Sequence, residues 1–175
     1  INQEELGVKT HLNQYSNRLR DVPSDLYALL GRAEIYLNLG LNDKAIDDLN
    51  TAIELHPKNT SALNMRGAFF AKIGRQREAM ADVQASLKID KNNLEGYFVR
   101  GLIYADLGKY QEAIKDFDKV IQMDYTFYKA YYDRGVCYEG IGEVDEACKN
   151  FEIAKLMGDK KAAEMYHIGC EFGAW

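Results

Sequence analysis

The chain has 175 residues, 47% of them apolar and 28% charged, which suits one soluble domain with a sizeable core. Its net charge of -5 lacks the basic stripe a nucleic-acid binder needs to neutralise phosphates. No apolar run approaches the roughly 18–20 residues that span a bilayer, so neither nucleic-acid binding nor membrane insertion is expected. The opening residues Ile1-Asn2-Gln3-Glu4-Glu5 are not a signal peptide, and there is no initiator Met. The expectation is a chain processed, or cut, from something longer.

In residues 1–25, Val8, Leu12, Tyr15 and Leu19 share one helical face, and Pro23 precedes Pro57 by 34 positions. This stretch reads as the second helix of a unit whose first helix is absent or incomplete. From residue 26 onward a period of 34 governs the chain. Gly40, Gly74, Gly108 and Gly142 form one column; Ala45, Ala79, Ala113 and Ala147 form another. Three more columns run in phase: Arg32, Arg66, Arg100 and Arg134; Tyr36, Phe70, Tyr104 and Tyr138; and Ala52, Ser86, Val120 and Ala154.

Each column has a physical reason. The glycine ends a helix, where a left-handed backbone costs it nothing. The alanine sits one turn into the next helix, where a small side chain lets two helices approach closely. The aromatic fills the gap between paired helices. Apolar residues recur at three- and four-residue steps, as in Ala113, Phe117, Val120 and Ile121, which is helical and not strand periodicity. Four helix–turn–helix units are therefore expected over residues 26–59, 60–93, 94–127 and 128–161.

The charged column has partners 16 residues on, at Asp48, Asp82, Asp116 and Asn150. Three Arg–carboxylate pairs that fix helix register are expected, and Arg is suited to bidentate geometry. Whether they lie within a unit or between units stays open, and Asn150 leaves Arg134 to use Asp116 instead. A row of arginines for an acidic ligand is the alternative.

After Gly158 one more helix is expected over 160–172, a cap covering the last unit within residues 162–175. Ala163, Tyr166 and Cys170 fall on one side of it, Met165, Ile168 and Phe172 on the other. Two apolar sides leave a loosely packed end or a homodimer surface open. Cys137 stands where Phe69 and Ile103 stand and reads as a buried small hydrophobe. Cys148 and Cys170 lie on elements expected to pack together, so a disulfide between them and free thiols are both open.

Nothing in the sequence points to catalysis. His11, His56 and His167 lie in different units, and HExxH, nucleophile-elbow, Walker and dinucleotide-binding patterns are absent. The cysteines lack metal-ligand spacing, so no metal and no cofactor is expected.

Segments such as Arg100-Gly101-Leu102-Ile103-Tyr104-Ala105-Asp106-Leu107-Gly108 and Glu112-Ala113-Ile114-Lys115-Asp116-Phe117, with Pro57 closing a unit, resemble the tetratricopeptide repeat family over about four-fifths of the chain. Ala33 in place of a usual Gly, and Lys91 and Tyr125 in place of a closing Pro, are local departures. The resemblance implies an all-α fold, a right-handed superhelix of antiparallel helix pairs. It also implies a protein-binding scaffold without catalysis. The ending, Asp145-Glu146-Ala147-Cys148 with Leu156-Met157-Gly158-Asp159 and Cys170, is similar to that of some exported bacterial members. An oxidising compartment and a cytoplasmic location with free thiols both stand as expectations.

In this family the first helix of each unit lines a concave face. The positions carried over are Tyr27, Leu30, Glu34 and Asn38; Ser61, Asn64, Ala68 and Lys72; Glu95, Phe98, Leu102 and Asp106; and Lys129, Tyr132, Val136 and Glu139. Members that grip a chaperone's C-terminal carboxylate use Lys, Asn and Arg where this chain has Leu30, Glu34, Met65, Glu95 and Val99, so that clamp is absent. The expected ligand is an extended segment or amphipathic helix of a protein or peptide, anchored around Phe98 and Tyr132. Self-association through the terminal helices, and a regulatory segment of a larger protein, are the alternatives.

Overall fold

The computed structural model describes residues 3–173, and every regular element among them is helical. The helices are α1 (Gln3–Asp21), α2 (Leu26–Asn38), α3 (Asn42–Leu55), α4 (Thr60–Lys72), α5 (Gln76–Ile89), α6 (Leu94–Asp106), α7 (Tyr110–Met123), α8 (Tyr128–Gly140), α9 (Val144–Leu156) and α10 (Lys160–Met165). A π-helical turn, Tyr166–Glu171, continues α10. Among the described residues no helix is long and apolar enough to cross a membrane.

The pairs α2/α3, α4/α5, α6/α7 and α8/α9 are the densest contacts, and each pair packs on the next, as in an α-solenoid. First helices are also neighbours: α4 touches α6, and α6 touches α8. The turn inside each pair depends on its glycine. Gly40, Gly74, Gly108 and Gly142 have φ of 71, 80, 69 and 81°. The next residue's N–H then reaches back to the carbonyl of the aromatic column, as from Arg75 to Phe70 at 2.8 Å and Lys109 to Tyr104 at 2.8 Å. The helix starts are capped by Asp25, Asn59, Asn93 and Asp159, each accepting from the N–H three residues on.

The columns of small residues are the contact surface. All four alanines, and Ala52, Ser86, Val120 and Ala154, have 0% exposure. A Cβ on Gly67, Gly101 or Gly135 would come within 2.9, 2.7 and 2.8 Å of Val83, Phe117 and Phe151 respectively. Ala33 occupies the same place in the first unit, where Leu49 replaces those partners.

The arginines pair within their own units. Nε and Nη2 of Arg32, Arg66 and Arg100 make paired hydrogen bonds of 2.7–2.8 Å to both oxygens of Asp48, Asp82 and Asp116. The fork also reaches back to the preceding unit. Arg66 donates to Asn50 at 2.7 Å and Arg32 to Ser16 at 3.5 Å. Arg134 donates to Asn150 at 2.8 Å and pairs with Asp118, not with the Asp116 expected for it. The reason is geometric: Asp118 stands 16 residues before Arg134, the place that Ser16 and Asn50 hold before Arg32 and Arg66. The pairing lifts the Arg32, Arg66 and Arg100 guanidinium pKa values further still, their aspartates being the largest cause. These arginines are committed to the frame.

The two ends depart from the repeat between them. Along α1, Leu19 is buried against α2, and the Tyr15 ring packs over Gly31. Yet the places of the alanine, aspartate and small-residue columns hold His11, Gln14 and Arg18, all exposed. At the other end the expected single helix is α10 plus a π turn. Met165, grouped in the sequence with Ile168 and Phe172, packs instead with Ala162, Tyr166 and Cys170 against Tyr131 and Phe151. Ala162, Met165, Tyr166 and Gly169 recur at helical spacing on that inner face. Ile168 and Phe172 point outward, 55% and 71% exposed. Cys148 and Cys170 are joined with an S–S distance of 2.04 Å, and Cys137 is a buried free thiol. Residues 174–175 of the expected cap and 1–2 of the half unit lie outside the described residues.

Candidate functional site: the groove along the first helices

A groove of about 680 Å³ opens along α4, between the end of α2 and the start of α6. Its floor is apolar, with Leu37, Met65, Ala68, Phe69 and Ile73. Its polar lining is the amides of Asn38, Asn42 and Asn93 and the hydroxyl of Ser61, with the buried Asn64 amide beneath them. One charge stands at each end: Glu95 where α6 begins, and Lys72 where α4 ends. The Glu95 side chain is exposed, yet desolvation by its neighbours raises its carboxyl pKa, with Lys129 opposing.

Asn64 is the unusual member. In the other three units its place holds Leu30, Phe98 and Tyr132. Asn64 is 2% exposed; its Nδ2 donates to the cap oxygen of Asn93 at 2.7 Å, and its own Oδ1 has no partner among the described residues. The Asn93 oxygen also accepts from the Gly96 N–H at 2.6 Å. One junction further on, the same pair of places holds Phe98 and Phe127, whose rings meet edge to face at 4.9 Å. A polar bridge between units is thus exchanged for an aromatic one.

Of the predicted concave positions, Asn38, Asn64 and Lys72 come together in this groove, as do Ser61, Ala68 and Glu95. Phe98 does not join them. It is 9% exposed, held between Phe117 at 5.9 Å and Phe127, and offers a partner little surface. Leu30 and Leu102 are half-buried against the packing of their own units. Tyr27 is 65% exposed, with its ring against Tyr15 and the Arg18 guanidinium above it. Glu34 is exposed beyond the groove, and Asp106 is exposed and accepts from Gln76 at 3.4 Å.

The far end of the concave surface is acidic. Tyr132 is half-buried against Phe151, and burial together with Asp133, Asp159, Glu139 and Glu164 raises its hydroxyl pKa. Burial and Asp159 push the Asp133 carboxyl up to about 7, against Lys161 and Lys129. Lys129 is exposed and Glu139 half-buried in the same region. The sequence reading missed Leu37, Phe69, Ile73, Asn42 and Asn93 as groove residues. The one available signal was the lone Asn64 in an otherwise apolar column, 29 residues before a cap asparagine.

Tetratricopeptide repeat models match residues 12–59 and 30–93, 94–124, and 129–156. No curated protein sequence matches with significance. Among solved structures, MamA is 28% identical with a TM-score of 0.69, over 87% of this chain and 89% of that one. TTC0263, a thermophilic TPR protein of Thermus thermophilus, is 20% identical with a TM-score of 0.79, over 94% and 91%. YrrB, described as a TPR protein with an unusual peptide-binding site, is 22% identical with a TM-score of 0.66, over 91% and 83%. The chain belongs to the tetratricopeptide repeat family.

Proposed function

We propose that this chain is a non-catalytic scaffold that holds a segment of a partner protein on its concave face, centred on the groove along α4. The supporting observation is the groove itself. Its apolar side chains Leu37, Met65, Ala68 and Ile73 and the amides of Asn38 and Asn42 keep open surface, while the arginines that would draw an acidic ligand are paired internally. Tyr132, Lys129 and Glu139 extend the same surface toward the C-terminal end, and Tyr27, Leu30 and Glu34 toward the N-terminal end.

Capture from an extract of the native cell, read by mass spectrometry, tests this with three baits. The wild type and Glu152→Arg, an exposed change on α9, should retain the same partner. Ala68→Arg, which fills the groove, should lose it about tenfold or more. Equal capture by all three would move the partner to another surface.

A second reading, self-association, is favoured by Leu156, Ile168 and Phe172, exposed at 77%, 55% and 71%. Light scattering across a dilution series decides it, since a monomer at every concentration would end that reading.

A further inference from the structure

We propose that the groove along α4 takes an extended peptide of about five residues, with a cationic group at the Glu95 end and a carboxylate at the Lys72 end. This holds only if the concave face is the partner surface, and it adds the ligand's chemistry to that reading. The groove follows α4 from Ser61 to Lys72, roughly 16 Å at the helical rise. About five extended residues cover that length.

Polar chemistry points the same way. The middle of a helix has its backbone groups satisfied internally, whereas an extended chain presents an N–H and a C=O at every residue. The groove offers side-chain amides, groups that both donate and accept, at Asn38, Asn42 and Asn64. The Asn64 Oδ1 is buried and unpaired, and its Nδ2 is already given to Asn93, which leaves an acceptor in need of a donor. A peptide N–H is that donor, reached once the Asn64 amide turns toward the groove. An apolar side chain of the same peptide would enter among Leu37, Met65 and Phe69, and the next would point outward, since extended side chains alternate.

The two charges set the ends. Neither Glu95 nor Lys72 makes a close ion pair among the described residues; Lys129 acts on Glu95 only through space, and desolvation still penalises its charge. A lysine, arginine or terminal amine relieves Glu95, and a carboxylate suits the Lys72 ammonium.

The probe is a phage-displayed library of random heptapeptides, selected on the intact chain and counter-selected on Ala68→Arg. Enriched sequences should carry Lys or Arg about four to five residues from Asp or Glu, with an apolar residue between. A synthetic peptide of that kind should bind Glu95→Lys about tenfold more weakly, and the double change Glu95→Lys with Lys72→Glu should prefer the charge-swapped peptide. Methylating one backbone nitrogen should weaken binding to the wild type about tenfold but leave binding to Asn64→Leu unchanged. Leucine already occupies this place at Leu30, and circular dichroism confirms that the variants fold. Selected peptides that need the groove yet ignore both charge reversals and every N-methylation would overturn the proposed ligand chemistry while the concave-face reading stood. Peptides indifferent to Ala68→Arg, or no enrichment at all, would overturn the proposal; loss of groove dependence in the capture experiment is what would remove the scaffold reading.

Discussion

Gly101→Ala is the sharpest probe of how the units are packed. The added Cβ would lie 2.7 Å from Phe117 Cε1 and 3.0 Å from Cδ1 and Cζ. Carbon atoms prefer about 3.5–4.0 Å, so the ring or the helix has to shift by nearly 1 Å. Phe117 has 0% exposure and is packed with Phe98, Ala113 and Val120, so it has little room to move. Overpacking of this kind costs about 1–3 kcal/mol, against about 1 kcal/mol gained by replacing Gly with Ala inside a helix. The net expectation is a loss of about 1 kcal/mol. Phe117→Leu alone should also destabilise, by leaving a cavity. Together the two changes recreate the Ala33–Leu49 combination of the first unit, and should cost less than the sum of the singles by about 1 kcal/mol. Urea unfolding followed by circular dichroism and by tyrosine fluorescence measures all four proteins; at a slope of about 2 kcal/mol per molar, 1 kcal/mol is about 0.5 M in midpoint. Additivity within about 0.3 kcal/mol, or a single Gly101→Ala as stable as the wild type, refutes the packing argument.

Asp116→Ala removes both hydrogen bonds to Arg100 and leaves its guanidinium half-buried; a loss of about 2–3 kcal/mol is expected in the same urea assay. Asp133 is raised in the folded state above its unfolded value near 4, so the folded chain binds the extra proton between about pH 4 and 7. Stability therefore falls as pH rises through that window, and Asp133→Asn should flatten the slope and be the more stable variant at pH 8. Replacing Cys148 and Cys170 by Ser opens a loop of sequence separation 22, with an expected loss of about 2–3 kcal/mol; amide exchange should quicken first in α10 and the π turn. On denatured, unreduced protein one thiol should titrate, and in the native state it should react slowly, because burial pushes the Cys137 thiol up to about 12.

The candidate site was less legible than the frame that carries it. Asn38, Asn64 and Lys72 could be placed on the concave side from the family resemblance and the period together, because the resemblance names the helix that lines that face and helical phase fixes which residues it turns inward. Whether a residue on that face meets solvent or a neighbouring unit depends on what the next unit brings. Phe98 looked like an anchor, and Phe127, 29 residues later, covers it. Tyr132 keeps an open side because Asp159 and the short α10 follow it instead of a full unit. Asn93, which the sequence did not single out, caps α6 and also holds Asn64.

What the sequence determined by itself is the repeat: its length, its copy number, the glycine turns and the close-packed alanine columns. Those features depend on contacts between residues near in the chain, repeated 34 apart, so one period states them all. The tertiary structure decided what happens between units and at the ends. It assigned Arg134 to Asp118, turned Met165 inward, joined Cys148 to Cys170 and left open the groove along α4. Each of these is set by how one helix pair stacks on the next, and side-chain volume and hydrogen-bond direction at that contact differ from junction to junction even where the period does not.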